Sequence, residues 1–557
     1  MPLPPRPVLL NRPSAILAAL LAVAAAPAPA RPRFLPDDPV RVDPDHLPIA
    51  KPAPVELSNV YDVLENTLRH RPRGRVAAAM NVNTLGEVPD SSWFTNRIGV
   101  RSMTVGEIVR GAATVGPPDV AGPLTVIASK SGGITPGFTM RDARGNVYFV
   151  KFDPASHPNL STAADVIGSR FFHAFGYHVP HNDVVYIRRE QLHIDPRATI
   201  RVGGGPKRPL TLADLDHNLA NVSQLKDGRI RIVASLRLPG EPLGPFQYHG
   251  TRHDDANDVF PHEHRRELRG LRVFAAWLNH DDSRAINTQD MFVPGEGGGS
   301  VRHHLIDFSS TLGSGSNARR EIAPQNPRAG NEYIIELGPM LRSLFSLGLI
   351  DRPWRSVRYP EHSAVGNFEA DFFEPDAWRP EYPNPAFERM QDDDAFWAAA
   401  IVHGFGDDAV RAAVATGELG DPESERYLVD TLIRRRDKIV AYYFARTNPL
   451  AGFDVFGGAL LFRNLGEEAG LGRAETYDVE WSDFDNATGR HVRIGSPVSV
   501  PVSVPVAFPF PVSGHGATYI AARIRTRSAA FPGWARPVTV YLRRAPEWMV
   551  VGIERGP

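Results

Sequence analysis

At 557 residues the chain has room for three to four domains of about 150 residues each. Hydrophobic residues make up 42%, charged residues 22% and aromatics 9%, the profile of a folded protein rather than a disordered one. The 62 Lys and Arg against 63 Asp and Glu give a formal charge of -1, which excludes a bulk field drawing it to nucleic acid or an acidic membrane. The absence of cysteine excludes disulfides, thiolate metal sites and a Cys nucleophile, while 51 Pro and 48 Gly announce many loops.

Arg6 and Arg12 precede an apolar run from Ala15 to Ala26, followed by Pro27-Ala28-Pro29-Ala30. This is the pattern of a secretory signal peptide over residues 1–30, cleaved near Ala30. The run is short for a ~30 Å hydrocarbon core, so a soluble periplasmic or secreted chain is expected, with no transmembrane helix after cleavage. Loss of Arg6 and Arg12 leaves 60 basic against 63 acidic residues and changes no conclusion about charge.

Residues 31–120 are Pro-rich and weakly periodic and read as a wrapping extension. They hold one helix-like stretch, Val60 to Leu68, and a turn, Pro89-Asp90-Ser91-Ser92, that feeds Trp93-Phe94 as an aromatic anchor. From Leu124 to Ala128, Gly137 to Met140 and Val147 to Phe152 the pattern predicts three antiparallel strands, with turns at Ser131-Gly132-Gly133 and Asp142 to Gly145. A helix follows from Ser161, its expected N-cap, to Phe175, with Gly176 as its stop. Short strands are expected from Val184 to Ile187 and Ile230 to Leu236, and a strong helix from Glu263 to Leu278 runs into Asn279-His280-Asp281-Asp282. A hairpin, Asp290 to Val293 and Val301 to Ile306 around Pro294 to Gly299, ends at Asp307-Phe308. Helices dominate from Tyr333 to Phe444, notably Asp393 to His403 and Glu423 to Tyr443, with a Pro- and aromatic-rich loop from Pro353 to Pro385. Residues 446–557 read as a separate β-rich domain, in which the prolines of residues 495–506 favour an edge or extended segment.

A Gly-containing hairpin, a strand Lys, an acid on the next helix, then two acids and an Asn around a second hairpin occur in the order that phosphoryl transfer requires. Asp282 to Asn287 has D-x-x-x-x-N spacing, in which the Asp takes or orients a hydroxyl proton and the Asn holds a metal. Asp281 stands one residue out of that register. Asp307 sits where an acid can chelate a metal that bridges phosphates, Lys151 where an ammonium can neutralise them, and Asp165 where it can pair with Lys151.

These residues resemble the protein-kinase-like superfamily, and more closely its atypical members, the HipA-type, CotH-type spore-coat and animal secretory-pathway kinases. The resemblance spans about residues 121–445 and implies an α+β, two-lobed kinase-like fold. Its antiparallel-sheet N-lobe would occupy about 121–240 and its helical C-lobe about 241–445. It further implies ATP in the cleft, bound through Lys151, Asp165 and the Ser131, Gly132, Gly133 loop, with Mg2+ or Mn2+ on Asn287 and Asp307 and Asp282 as the catalytic residue. Ser309 replaces the Gly of D-F-G, no H-R-D or A-P-E tripeptide is present, and the helix acid is Asp rather than Glu. The expected function is an exported ATP-dependent phosphotransferase acting on a protein, glycan or lipid hydroxyl, although the fold in a distant branch also transfers AMP.

Two other readings compete. An inactive kinase-fold binding scaffold of the envelope suits a compartment where ATP is scarce. A metal-dependent hydrolase could use His249, His253, Asp254, Asp255, His262, His264 and His280. Against the latter, His262-Glu263-His264 on a helix would send its imidazoles to different sides. No G-x-S-x-G elbow or phosphate-binding P-loop motif is present. Arg434-Arg435-Arg436 is expected to form a solvated or salt-bridging helix face.

Overall fold

The computed structural model describes residues 32–69, 72, 74–129, 137–201, 205–315, 330–347, 349, 352–359, 361–501, 506–509 and 518–556. The expected signal peptide and the Ser131-Gly132-Gly133 turn lie outside these residues. Among the described residues the chain is α+β, with ten α-helices and four sheets. None of those helices is long and apolar enough to cross a membrane.

The strands Leu124–Ser129, Gly137–Arg141 and Val147–Phe152 pair antiparallel, as their alternation predicts. They belong to a larger sheet of seven strands, flanked by Ile230–Leu236 and Asn182–Ile187 on one side and Leu192–Ile200 and Arg208–Pro209 on the other. The sheet is not wholly antiparallel, because Leu124–Ser129 and Leu192–Ile200 run parallel. Such pairing needs a crossover, to which the helix Leu160–Phe175 and the strand Asn182–Ile187 between residues 152 and 192 contribute. Val126, Phe138, Met140, Tyr148, Val150, Phe152 and Ile232 form one buried face, against which Leu215 and Leu219 pack. By the two-residue period Lys151 projects from the opposite face, where the helix Leu160–Phe175 lies.

Ser161 is not the N-cap of that helix. The N-cap is Asn159, in the left-handed region at φ 67°, and its side chain makes no cap bond. The capping carboxylate comes from upstream: Asp153 accepts from the amides of Asn159, Ser161 and Thr162 at 3.1, 2.8 and 2.9 Å. Gly176 ends the helix at φ 131°, where a Cβ would collide with the Phe94 ring at 2.2 Å.

The largest core lies beneath this helix. Phe175 stacks on Phe274 with ring centroids 4.2 Å apart, and Phe171 meets Trp277 edge-on at 5.2 Å. Phe274 and Trp277 belong to the helix Arg266–Leu278, which begins three residues later than expected because His262–His264 forms a separate 3-10 turn. Asp392–His403, Asp407–Ala415 and Pro422–Arg446 complete this layer. The helix Leu337–Phe345 buries none of its residues.

Beyond Arg446 the chain forms a three-stranded sheet and a five-stranded sheet around Tyr477, Trp481, Ile524, Val540 and Trp534. The strand His491–Pro501, which carries Pro497 and Pro501, lies at the sheet edge, where a missing N–H costs no ladder bond. The Trp534 indole donates to the Phe444 carbonyl at 2.9 Å, joining this region to the long helix.

Residues 32–120 cross the whole molecule. Phe34 inserts among Phe484, Tyr519 and Tyr541 of the C-terminal sheet. Ile49 bridges to Gly299, the Val55 amide donates to the Leu243 carbonyl at 2.7 Å, and Trp93 stacks on His303 at 3.5 Å.

Candidate functional site

Three separated segments meet at Lys151. The strand Val147–Phe152 carries the ammonium, which donates to Asp165 Oδ2 at 2.9 Å and Asp307 Oδ1 at 2.6 Å. Burial opposes its charge, but the two carboxylates outweigh that cost and raise its pKa. Asp165, itself 2% exposed, uses Oδ1 to accept from the Phe308 amide at 3.1 Å and the Asn182 amide group at 3.0 Å. One carboxylate thereby clamps the sheet, the helix and the segment after the hairpin.

Aspartate is a short residue for this span, and the packing explains its reach. A Cβ on Gly168 would stand 2.6 Å from Phe308 Cβ, so the helix and the Asp307 segment approach as closely as a glycine permits. Thr311 Oγ1 donates to the Ala164 carbonyl at 3.1 Å, and Phe308 stacks on Phe172 at 4.8 Å.

Asp307 is delivered by the antiparallel hairpin Thr288–Gly295 and Gly298–Leu305. It adopts φ 61°, a left-handed conformation that Asp tolerates better than most residues. Ser309 Oγ donates to the same Oδ1 at 2.5 Å and fixes the carboxylate's orientation. At the same open end of the hairpin the Ile306 amide donates to the Asn287 carbonyl at 2.9 Å, holding Asn287 beside the Asp307 segment. The Asn287 side chain donates from Nδ2 to the Asp282 carbonyl at 2.9 Å, which leaves its Oδ1 as the oxygen for a ligand.

The helix Arg266–Leu278 ends on Asn279, left-handed at φ 50°, and turns the chain into His280-Asp281-Asp282. Asp282 is partly accessible, with the Arg284 guanidinium against its carboxylate. Burial pushes its carboxyl up to about 7; Arg284 opposes the rise, and Glu381 and Asp307 add to it. That suits proton transfer near neutrality. Asp281 is 4% exposed, and burial raises its pKa well above the ordinary carboxylate range. It lies deeper than its neighbour, and its carbonyl accepts from the Glu381 amide at 2.9 Å.

The structure thus brings together Lys151, Asp165 and Asp307, and joins Asn287 to the Asp282 backbone. Ser131, Gly132 and Gly133 lie outside the described residues. Sequence reasoning missed Arg284, Glu381, Tyr382 and Asp62. Arg284 donates to Glu381 at 2.9 Å, and the Tyr382 hydroxyl donates to Asp62 on the helix Asn59–Leu68. Arg284 lay within the D-x-x-x-x-N segment and could have been noted; nothing local marks the others, which depend on chain crossings.

A carboxylate and an amide oxygen are hard donors, so the chemistry of Asp307 and Asn287 suits Mg2+ or Mn2+. Among the described residues no three His, Asp or Glu side chains gather to hold a metal. The His-rich segment is also less superficial than its composition suggests. His262 Nε2 lies 2.7 Å from Asp258, and His303 Nδ1 2.7 Å from Asp290, all four buried. Those contacts brace Trp93 and the 3-10 turn. The chain matches no family model, no curated protein and no solved structure, so the chemistry of this site rests on its own geometry.

Proposed function

We propose that the chain is an exported, ATP-dependent phosphotransferase with a two-lobed, protein-kinase-like arrangement. The observation that carries this reading is the Lys151 ammonium held between Asp165 at 2.9 Å and Asp307 at 2.6 Å by three different elements. A cation fixed there binds and orients a nucleotide's phosphates. Bound Mg2+ or Mn2+ would neutralise charge on those phosphates, with Asp307 and Asn287 as its protein ligands. Asp282, with its carboxyl near neutrality, accepts the proton of an incoming hydroxyl as that oxygen bonds to the terminal phosphorus and ADP leaves. The apolar leader supports export, with N-terminal sequencing of fractionated protein expected to begin after Ala30.

The test is thermal melting with a non-hydrolysable ATP analogue and Mg2+ or Mn2+. Ligand at ~100 times its dissociation constant adds about 2.7 kcal/mol. A metal-dependent shift, absent in Asp307→Ala, is expected. No shift with any nucleotide and metal, in folded protein, would replace the enzyme by an inert scaffold.

A further inference from the structure

Two helices are mounted with their apolar faces outward. On Asn59–Leu68 the buried residues are Asp62, Asn66 and Thr67, whereas Val60, Tyr61, Leu64 and Leu68 share another face and are between 43% and 74% exposed. A helix of a soluble protein ordinarily turns such a stripe to the core. Here the polar side is the one fastened down: Asp62 accepts from the Tyr382 hydroxyl and from Asn66 Nδ2, the latter at 3.0 Å.

The helix Leu337–Phe345 repeats the arrangement. Leu337, Met340, Leu341 and Leu344, spaced i, i+3, i+4, i+7, are between 48% and 71% exposed, and Phe345 and Leu347 extend the surface past its end at 82% and 88%. It is held from its other side, where Arg352 donates to the Pro339 carbonyl at 3.4 Å and pairs with Glu332, which also accepts from the Trp354 indole at 2.8 Å. The two helices are anchored to adjacent residues: Asp62 meets Tyr382, and the Ile334 amide, three residues before Leu337, donates to the Glu381 carbonyl at 2.7 Å. Large apolar side chains exposed in such groups, rather than singly, mark a surface that is covered in use.

Charge selects what covers it. The first helix runs into Arg69-His70-Arg71-Pro72-Arg73-Gly74-Arg75, with no acid between Glu65 and Glu87, and the stretch from Leu337 to Arg358 sets four Arg against Asp351 alone. Arg69, Arg75, Arg342 and Arg358 are exposed. The overall charge of -1 conceals this local excess. A second copy docked through the same face would set Arg against Arg. An anionic bilayer meets both features, since its acyl boundary takes the Leu, Met, Phe and Tyr side chains while its phosphates take the guanidinium groups. We propose, independently of any phosphoryl transfer at Lys151, that these two helices dock the chain on an anionic phospholipid bilayer, lying in its interface without crossing it.

The mature chain expected after cleavage near Ala30 would be sedimented with vesicles of phosphatidylcholine alone and of phosphatidylcholine mixed with phosphatidylglycerol. Binding to the mixed vesicles is expected, weakened by added salt and about tenfold by Leu344→Ser with Phe345→Ser, and likewise by Tyr61→Ser with Leu68→Ser. All four side chains are exposed, so the variants keep the fold, which thermal melting checks. Failure to bind the mixed vesicles would overturn the assignment, as would equal binding to both vesicles or binding that the apolar substitutions leave unchanged. A dimer in analytical ultracentrifugation that Leu344→Ser with Phe345→Ser dissociates, without vesicle binding, would replace the bilayer by a second copy.

Discussion

At the scale of single residues, Lys151 concentrates the consequences. Its removal would strand Asp165 in the interior with only the Phe308 and Asn182 donors. Breaking a buried pair from one side costs about 3–5 kcal/mol, whereas replacing both partners by apolar groups can be nearly neutral. Lys151→Met should therefore lower stability by about 3 kcal/mol in urea unfolding, and Lys151→Met with Asp165→Leu should recover much of it. A double variant as unstable as the sum of its parts would show the pair to be uncoupled. Ser309 poses a subtler case, because its hydroxyl orients Asp307 through a 2.5 Å bond. Ser309→Gly should change stability by about 1 kcal/mol yet reduce the metal-dependent melting shift, separating orientation from folding. An undiminished shift would remove that role.

At the scale of elements, the site depends on how closely one helix approaches one segment. Gly168→Ala would drive a Cβ to 2.6 Å from Phe308 Cβ, and overpacking of that kind costs about 1–3 kcal/mol. The nucleotide-dependent shift should fall with it, since the Asp165 bond to Phe308 spans the same contact. Asp153 governs the other end of the helix. Asp153→Ala removes the acceptor for three amides and should cost about 1–2 kcal/mol in thermal or urea unfolding. An Asp153→Ala variant as stable as the parent would show the helix N-terminus to be satisfied otherwise. The sequence pattern foretold the strand Val147–Phe152 to the residue, because its alternation is strong, and the helix to within one residue. It assigned the cap to the nearest Ser because N-caps are usually local. The actual cap lies six residues before Asn159, and a loop had to fold back to bring it there.

Across the whole molecule, buried groups of one charge type make stability respond to acid. Burial holds His280 and His304 down to about 4. In the unfolded chain both titrate near ~6.5, so between about pH 6.5 and 4 the unfolded state binds more protons. Their contribution is fully present above pH ~6.5 and is lost as pH falls through that window, by about 3 kcal/mol for each imidazole. The raised carboxyls of Asp281 and Asp282 act in the opposite sense over the same window, so the test is a difference: between pH 7 and 4.5 the urea midpoint of His304→Asn should fall less, or rise more, than that of the parent, and parallel curves would exclude His304 as a cause. Phe34 tests the molecule at its greatest span, because it ties the start of the described chain to Phe484, Tyr519 and Tyr541. Phe34→Ala should cost about 3–5 kcal/mol and unfold the C-terminal sheet earlier, as read by protection of its amides from exchange.

The amino-acid sequence by itself determined the periodic elements and the chemical types at Lys151, Asp165, Asp282, Asn287 and Asp307, because hydrophobic alternation and motif spacing are local properties. Only the tertiary structure decided that Lys151 bonds two carboxylates at once, that Gly168 lets the Asp165 helix pack closely on Phe308, and that Arg435 is buried beside a cavity. Those outcomes depend on which faces meet across more than a hundred residues of intervening chain, as between Lys151 and Asp307, 156 residues apart. Such meetings are set by close packing of the core, which no local pattern records.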